Sequence, residues 1–386
     1  MPDAATLLAD IEALLDDVEA AAAAAEAARK PDDIIMQKLA ATGVFTAYVP
    51  KRFGGMELDY ETFVRIGMRL GEACTSTAWV TTFCMEHNWL LAHFPERAQR
   101  EIWERQPYFL APGSISPTGT ATLEGEQYLL NGRWQWGTGV MHADWVMLAG
   151  RIEGTDTPEL RMFMIPRDQV TVEDTWQVEG MVATGSNDII AENVIIPQHM
   201  SQSVGLMTLA NTEGAAWHAS PTFRTPMIAF KCITAACPAV GCARKAVNLF
   251  KERIQARALW GSGTTQQSQP AAQMRLGNLM ICADAVEREM LTIARDLEAL
   301  GHRETLSTGE ERISLRLRCG HVVRQCRDIV RDVMEASGAS AHRLEHPLQR
   351  LHRDIHTLSG HTVFDIDVAS ELYGQVLLDL PTTMPV

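Results

Sequence analysis

Strand-like segments are confined to one stretch of this chain, residues 109–200, and helical segments lie on both sides of it. In that stretch, short runs rich in Val, Ile, Thr, Trp and Tyr are separated by Gly, Pro and Asn, as in β-strands joined by turns. Residues 4–106 and 226–386 instead show helical periodicity. Because strands and helices do not alternate along the chain, the pattern argues against a doubly wound parallel sheet.

We therefore predict an α+β protein with three parts: an N-terminal α-helical domain over 1–107, a central β-domain over 108–215 and a C-terminal helical bundle over 216–386. The chain has 386 residues, of which 46% are hydrophobic, and this suffices for an extensive core. Its formal net charge of −14 argues against a nucleic-acid or anionic-membrane partner.

Targeting and redox signals are also missing from the sequence. No window resembles a membrane span of about 20 apolar residues, and the N-terminus lacks the basic start and apolar core of a secretory signal. The eight cysteines include no Cys-x-x-Cys pair. We expect a cytoplasmic protein with reduced cysteines.

Several chemical motifs can be excluded. There is no Gly-x-Gly-x-x-Gly, Walker loop, Gly-x-Ser-x-Gly or His-Glu-x-x-His. None of the 12 histidines has a Glu three residues earlier, which removes the di-iron bundle. The His342/His346 and His352/His356 pairs have metal-ligand spacing, but arginines surround both pairs and repel a cation. We predict no metal site.

The densest aromatic cluster is LNGRWQWGTGVMHADWVMLAG, residues 130–150, in which three tryptophans surround a Gly-Thr-Gly turn. Together with VPKRFGGMELDY (49–60) and RIQARALWGSGTTQQSQPAAQM (253–274), it resembles the acyl-CoA dehydrogenase superfamily. The resemblance implies an N-terminal helical domain, a central β-barrel domain and a C-terminal four-helix bundle that builds a homotetramer. In that family the central hairpin contributes a Trp and a Ser or Thr to the flavin site.

A departure from the family pattern concerns the base that removes a proton next to the thioester. The family carries a carboxylate near the C-terminus or early in the helix that here follows residue 226. His361 lies roughly at the first position, and no Asp or Glu occurs between Ala215 and Lys251. A dehydrogenase reaction requires such a base, so the expected carboxylate is absent from both positions.

The C-terminal pattern Arg-Asp…His…Tyr-Gly…Leu-Leu and the segment HASPTFRTPM (218–227) are instead similar to the flavin-dependent monooxygenases of this fold. The resemblance implies the oxygenase component of a two-component system. A separate NAD(P)H:flavin reductase would supply reduced FMN or FAD, which reacts with O2 to give a C4a-hydroperoxide. The substrate would be a small aromatic molecule: phenolic, indolic or polycyclic.

The resemblance also assigns candidate site residues. We expect His361, His87 and Thr138 to act in catalysis, with His361 as a proton acceptor or hydrogen-bonding group. Substrate contacts are expected from His87, Ser114, Phe223 and Phe230. Flavin contacts are expected from Trp134 over the ring, Thr138 near N5, Gly139, Ser114, Trp260, Gln266 and Arg257, whose guanidinium suits a phosphate. Each has a structural alternative, a packed core side chain or a surface group.

Three other functions remain open from sequence alone. The first is an acyl-CoA dehydrogenase or oxidase with a displaced catalytic base. The second is a flavin-dependent N-hydroxylase that acts on an amine. The third is a non-catalytic scaffold of the same fold. No motif distinguishes FMN from FAD.

Overall fold

The N-terminal part of the computed structural model, which describes residues 3–154, 159–259, 261 and 263–382, is helical. Alanine, the strongest helix former, dominates the first helix. The side chain of Asp3 caps this helix by accepting a hydrogen bond from Thr6, and left-handed Arg29 ends it. The helices are α1 (Ala4–Ala28), α2 (Asp33–Ala41), α3 (Tyr60–Ala73), α4 (Thr75–Leu91) and α5 (Glu96–Trp103).

Helix α4 is the central element of this part, because all of its 17 residues are buried. A helix that is buried on every side packs against several layers at once. Here α4 packs against α3, against the long helix of the C-terminal part and against the loop that follows the fifth strand. Polar side chains on α4 therefore lie inside the protein, where each needs a partner.

The central part is one mixed sheet of seven strands in the order β5-β6-β2-β1-β3-β4-β7. Strands β1 and β3 are parallel, and the other neighbouring strands are antiparallel. The expected barrel is thus an open sheet with β5 and β7 at its edges. The strands are β1 (Gly113–Glu124), β2 (Gln127–Gly137), β3 (Trp145–Ile152), β4 (Leu160–Pro166), β5 (Thr171–Glu173), β6 (Asn187–Pro197) and β7 (Ser201–Ser203).

The C-terminal part is a helical bundle, reached through two short helices. A Thr308–Glu311 capping box begins one of its long helices. The elements are α6 (Val204–Thr208), α7 (Glu213–Ala216), α8 (Met227–Ala256), α9 (Pro270–Gly301), α10 (Gly309–Ser337), α11 (Pro347–Ser359) and α12 (Ile366–Leu377). The predicted three-part α+β architecture is confirmed.

Helix α8 has the length and composition of a membrane span, and 89% of its most apolar window is buried inside the protein. This window was not anticipated from the sequence. Its burial is typical of the core helix of a globular fold. Helix α8 packs against α3, α4, α9 and α10, so it connects the N-terminal part to the rest of the bundle.

Candidate active site

A cavity of about 310 Å³ lies where α4, the sheet and the end of α11 meet. Its size falls at the lower end of the range for small-molecule sites, roughly 300–1,000 Å³. Three indole rings, those of Trp79, Trp136 and Trp176, form part of its wall. The lining residues are Trp79, Phe83, Gly113, Trp136, Thr138, Trp176, Val178, Met181, Thr184, Ser186, Thr357, Leu358, Gly360, His361 and Thr362. None of these is Asp or Glu.

The hydroxyl group of Thr138 is the end of an ordered hydrogen-bond chain. Thr184 donates to the carbonyl of Met181 at 2.9 Å, and Thr184 and Ser186 share a bond of 2.7 Å. Ser186 therefore donates to Thr184, and Thr138 donates to Ser186 at 3.1 Å. Trp79 Nε1 donates to Thr138 Oγ1 at 3.3 Å. Since a hydroxyl oxygen has two lone pairs, one acceptor position on Thr138 remains for a ligand.

His361 has a hydrogen-bond donor available, whereas Thr138 has an acceptor. Its Nδ1 accepts a hydrogen bond from the backbone N–H of Val363 at 3.3 Å, which leaves the ring hydrogen on Nε2. Burial, with a smaller effect from the charge of Lys231, lowers the pKa of His361 to about 4. The imidazole is thus neutral at neutral pH. Its ring packs edge-on against Trp79, with centroids 5.5 Å apart.

His87 is fully buried on α4, next to the cavity wall. Its Nδ1 lies 2.6 Å from the carbonyl oxygen of Ala111, so Nδ1 carries the hydrogen and Nε2 is an acceptor. Burial first, and then the charge of Lys231, lowers the pKa of His87 to about 3. Nε2 lies against Gly113, which lines the cavity: a Cβ at Gly113 would be only 2.6 Å from it.

The loop between β5 and β6 forms another wall of the cavity, and Asp354 on α11 holds it. Asp354 Oδ1 accepts the backbone N–H of Met181 at 2.6 Å. The Met181 carbonyl in turn accepts from Trp176 Nε1 at 3.1 Å and from Thr184. Arg353 donates to the carbonyl of Glu179. Helix α11 thus positions the loop whose hydroxyl groups orient Thr138.

Two family models match this chain: the acyl-CoA dehydrogenase N-terminal domain over residues 4–106 and the C-terminal domain over 233–366. The chain is 32% identical to a pigment production hydroxylase of Rhodococcus sp. over 98% of both chains. The chain belongs to the acyl-CoA dehydrogenase superfamily. The prediction made from its motifs is confirmed.

Other relatives identify the branch of the superfamily. The chain is 31% identical to the flavin-dependent monooxygenase oxygenase subunit HsaA of Mycobacterium tuberculosis, over 98% of this chain and 97% of the relative. The crystal structure of HsaA superimposes with a TM-score of 0.92 at 30% identity, covering both chains completely. XiaF from Streptomyces sp., in complex with FADH2 and glycerol, also superimposes with a TM-score of 0.92, at 26% identity over 99% and 97% of the two chains.

These findings make the chain an oxidoreductase of the flavin-dependent monooxygenase group, whose cofactor is reduced flavin. The cavity fits such a cofactor. Its indole walls suit a flat aromatic ring, and the free acceptor position on Thr138 matches the N5–H of a reduced flavin. The name oxygenase subunit in the relatives also implies a separate reductase.

The expected position of Trp134 at the cavity is corrected, because Trp136 lines the cavity and Trp134 does not. The Trp134 ring is fully buried in the sheet against Gly119, where a Cβ would lie 2.0 Å from it, and its Nε1 donates to the Ala149 carbonyl at 2.8 Å. Strict alternation would place both tryptophans on one face. The register of β2 shifts between Trp134 and Gly137, and the positive φ of 65° at Trp136 turns that ring towards the cavity.

The expected substrate contacts from Phe223 and Phe230 are also corrected. Both rings are fully buried, and neither lines the cavity. Phe230 lies in an aromatic cluster with Tyr60 and Trp89, at centroid distances of 4.7 and 5.3 Å. Phe230, near the start of α8, therefore stabilises the core between α3, α4 and α8.

Ser114 and Gly139 adjoin the cavity without lining it. Ser114 follows Gly113 at the start of β1 and is partly buried. Gly139 has a φ of 71° and donates its N–H to the carbonyl of Thr184 at 3.0 Å, so it forms the turn that presents Thr138. Their contacts with flavin or substrate remain predictions.

The expected phosphate-binding residues lie elsewhere on the surface. Arg257 follows the end of α8, and its Nη1 is 3.5 Å from Oε1 of Gln266. Neither lines the cavity, and Trp260 lies outside the described residues. Among the described residues no group of three or more metal-ligating side chains comes together.

Sequence reasoning missed the tryptophan at 176, the other loop residues of the cavity wall, and the buried pair formed by Glu86 and Lys231 (3.4 Å, Oε2 to Nζ). Trp176 lies beyond β5, which ends at Glu173. A lysine within the apolar α8 segment was the one available signal for the pair, because a buried Lys needs a partner.

Proposed function

We propose that this chain is the oxygenase component that hydroxylates the ring of a small phenolic molecule with O2 and reduced flavin from a separate reductase. The supporting observation is that the free acceptor of Thr138 and the neutral imidazole of His361 meet in one indole-walled cavity without a carboxylate. Reduced flavin, when bound, supplies the activated oxygen atom that enters the substrate.

The protein's first contribution is to hold the flavin ring and exclude water. Trp79, Trp136 and Trp176 would cover the flavin ring, and Thr138 would accept a hydrogen bond from its N5–H. A dry site suppresses the wasteful release of hydrogen peroxide. The hydroxyl chain behind Thr138 fixes the direction of its remaining lone pair, so this acceptor needs no reorganisation when flavin binds.

The second contribution is a pair of neutral imidazoles of opposite polarity. Nε2 of His87 is an acceptor that can take the hydrogen of a phenolic hydroxyl. Nε2–H of His361 is a donor that can stabilise the oxygen atom that does not enter the substrate and leaves as water. Environments that assign opposite roles to two titratable groups are typical of acid–base sites.

The experiment combines the purified chain with a flavin reductase, NADH, FMN or FAD and a panel of phenols under 18O2. We expect one 18O atom in a ring hydroxyl of the product, measured by mass spectrometry. Label from water, or no hydroxylated product with any phenol, would contradict the proposal. Anaerobic reduction of bound oxidised flavin by an acyl-CoA would instead support the dehydrogenase alternative.

We also propose a homotetramer in the cytoplasm, in which Arg257 and Gln266 reach the flavin phosphates of a neighbouring subunit. Exposed apolar side chains on α9, including Met274 (69% exposed) and Ile281 (65% exposed), support an interface between copies. All eight cysteines are free, which supports a reducing compartment. Light scattering and an Arg257→Ala variant, expected to bind reduced flavin more weakly, test the assembly.

A further inference from the structure

A buried ion pair lies directly behind the cavity wall. Glu86 on α4 is fully buried, Lys231 on α8 is 5% exposed, and Oε2 of Glu86 is 3.4 Å from Nζ of Lys231. His87 Nε2 lies 3.6 Å from the same carboxylate oxygen. We call these three residues the inner niche. A buried pair contributes little net stability because desolvation offsets its attraction, so packing alone does not account for the niche.

The inner niche has hydrogen-bonding positions without partners. In the described part of the chain, neither Glu86 Oε1 nor His87 Nε2 has one. The Lys231 ammonium can donate three bonds, and it makes one to a described residue, Glu86. Nine in ten or more buried polar groups in proteins are satisfied. The niche therefore leaves Glu86 Oε1 and His87 Nε2 available to a group from outside the chain.

The residues of the inner niche determine which hydrogen-bonding groups a ligand needs in order to bind there. Because His87 donates from Nδ1 to a carbonyl, its Nε2 can only accept. Burial raises the pKa of Glu86, and the charge of Lys231 opposes this effect. The pairing itself is geometric, because Oε2 of Glu86 lies 3.4 Å from Nζ of Lys231. The niche thus offers two acceptors and one cationic donor, with no net charge.

The inner niche shares a wall with the cavity. Phe83 and Gly113 both line the cavity. On its other side, the Phe83 ring centroid is 5.3 Å from Nζ of Lys231, and the absent side chain of Gly113 leaves room for His87 Nε2. Gly113 is therefore the cavity-lining residue that lies directly against His87 Nε2.

We propose that the inner niche binds the hydroxyl group of the substrate and that the Glu86–Lys231 pair makes it select a neutral hydroxyl over a charged substituent. This inference rests on the proposed function. A hydroxyl can donate to His87 Nε2 or Glu86 Oε1 and can accept from Lys231. A carboxylate cannot donate and meets the charge of Glu86, whereas an ammonium cannot accept and meets that of Lys231.

The test is anaerobic calorimetry of the full chain with bound reduced FMN, titrated with phenol, benzoate and benzylammonium. The unmodified protein should prefer phenol by at least about tenfold, or 1.4 kcal/mol. Glu86→Gln leaves the ammonium unpaired and should shift the preference to benzoate. Lys231→Met leaves the carboxylate unpaired and should shift it to benzylammonium. A purely structural role would not reverse the preference in opposite directions.

Glu19→Gln is the matched control, because Glu19 pairs with Lys245 at 2.7 Å on the surface and should leave the preference for phenol unchanged. If both niche variants keep the wild-type order of affinities, the niche holds only water and the inference is overturned. If Lys231→Met does not fold, the isosteric Glu86→Gln decides alone. Hydroxylation of phenols by the unmodified enzyme tests the proposed function separately, so either idea can fail without the other.

Discussion

Replacing Thr138 with Val removes the hydroxyl group on which the proposed flavin contact depends, while it keeps the shape of the side chain. Three hydrogen bonds are lost: those from Trp79 (3.3 Å) and to Ser186 (3.1 Å), and the one proposed from the flavin N5–H. A neutral hydrogen bond contributes about 0.5–1.5 kcal/mol, so the Kd for reduced flavin should rise roughly 2- to 12-fold.

Stability should fall as well, since the buried N–H of Trp79 keeps no partner in this variant. An unsatisfied buried group costs about 1–3 kcal/mol, which thermal unfolding monitored by circular dichroism can measure. The share of O2 recovered as hydrogen peroxide rather than product should increase, because the flavin is held less firmly.

Anaerobic fluorescence titration gives the Kd for reduced flavin. Peroxide and product assays give the coupling, which is the share of O2 recovered as hydroxylated product rather than as hydrogen peroxide. Thr138→Ser retains the hydroxyl and is the control, expected to resemble the unmodified protein in both assays. Equal flavin affinity and equal coupling in Thr138→Val would refute the assignment of Thr138.

Four further predictions follow from the site. His361→Ala should lower hydroxylation about 10²-fold or more, the usual scale for acid–base groups, with flavin affinity near normal; unchanged turnover would remove His361 from the mechanism. In the folded protein the pKa of His361 is about 4, below the ordinary value of 6.5. The contribution of His361 to the free energy of unfolding is therefore present above pH 6.5 and is lost as the pH falls through 4. Unfolding measured over this pH range tests this prediction. Asp354→Ala frees the N–H of Met181 and should raise peroxide release, whereas Asp354→Asn, which keeps an acceptor oxygen, should restore coupling; equal losses in both variants would argue against a positioning role. Trp136→Phe should raise the Kd for reduced flavin with little change in the free energy of unfolding. Trp134→Phe should lower the free energy of unfolding with little change in that Kd. Fluorescence titration and thermal unfolding measure the two quantities.

The order of helices and strands could be predicted because local periodicity and turn residues specify each element. The absence of the carboxylate base could also be predicted, because the resemblance gave the two positions at which the family carries it. His361 and Thr138, which are far apart in sequence, were assigned from a resemblance, and the structure places both in one cavity. Their chemical roles remain predictions.

The exchange of Trp134 for Trp136 could not be read from the sequence. Alternation places both rings on one face, and the register shift in β2 together with the positive φ at Trp136 separates them. A shift of this kind depends on how β6 pairs with β2, which local sequence does not encode. The contact of Lys231 with Glu86 joins residues 145 positions apart and likewise depends on tertiary packing.

The most direct test of the central claim is a crystal structure of the chain grown anaerobically with reduced flavin. The account predicts the flavin ring between the indoles of Trp79, Trp136 and Trp176, with N5 at hydrogen-bond distance, about 2.7–3.2 Å, from Thr138 Oγ1 and with His361 at the same cavity. A ring bound elsewhere, or one whose N5 faces away from Thr138, would contradict it.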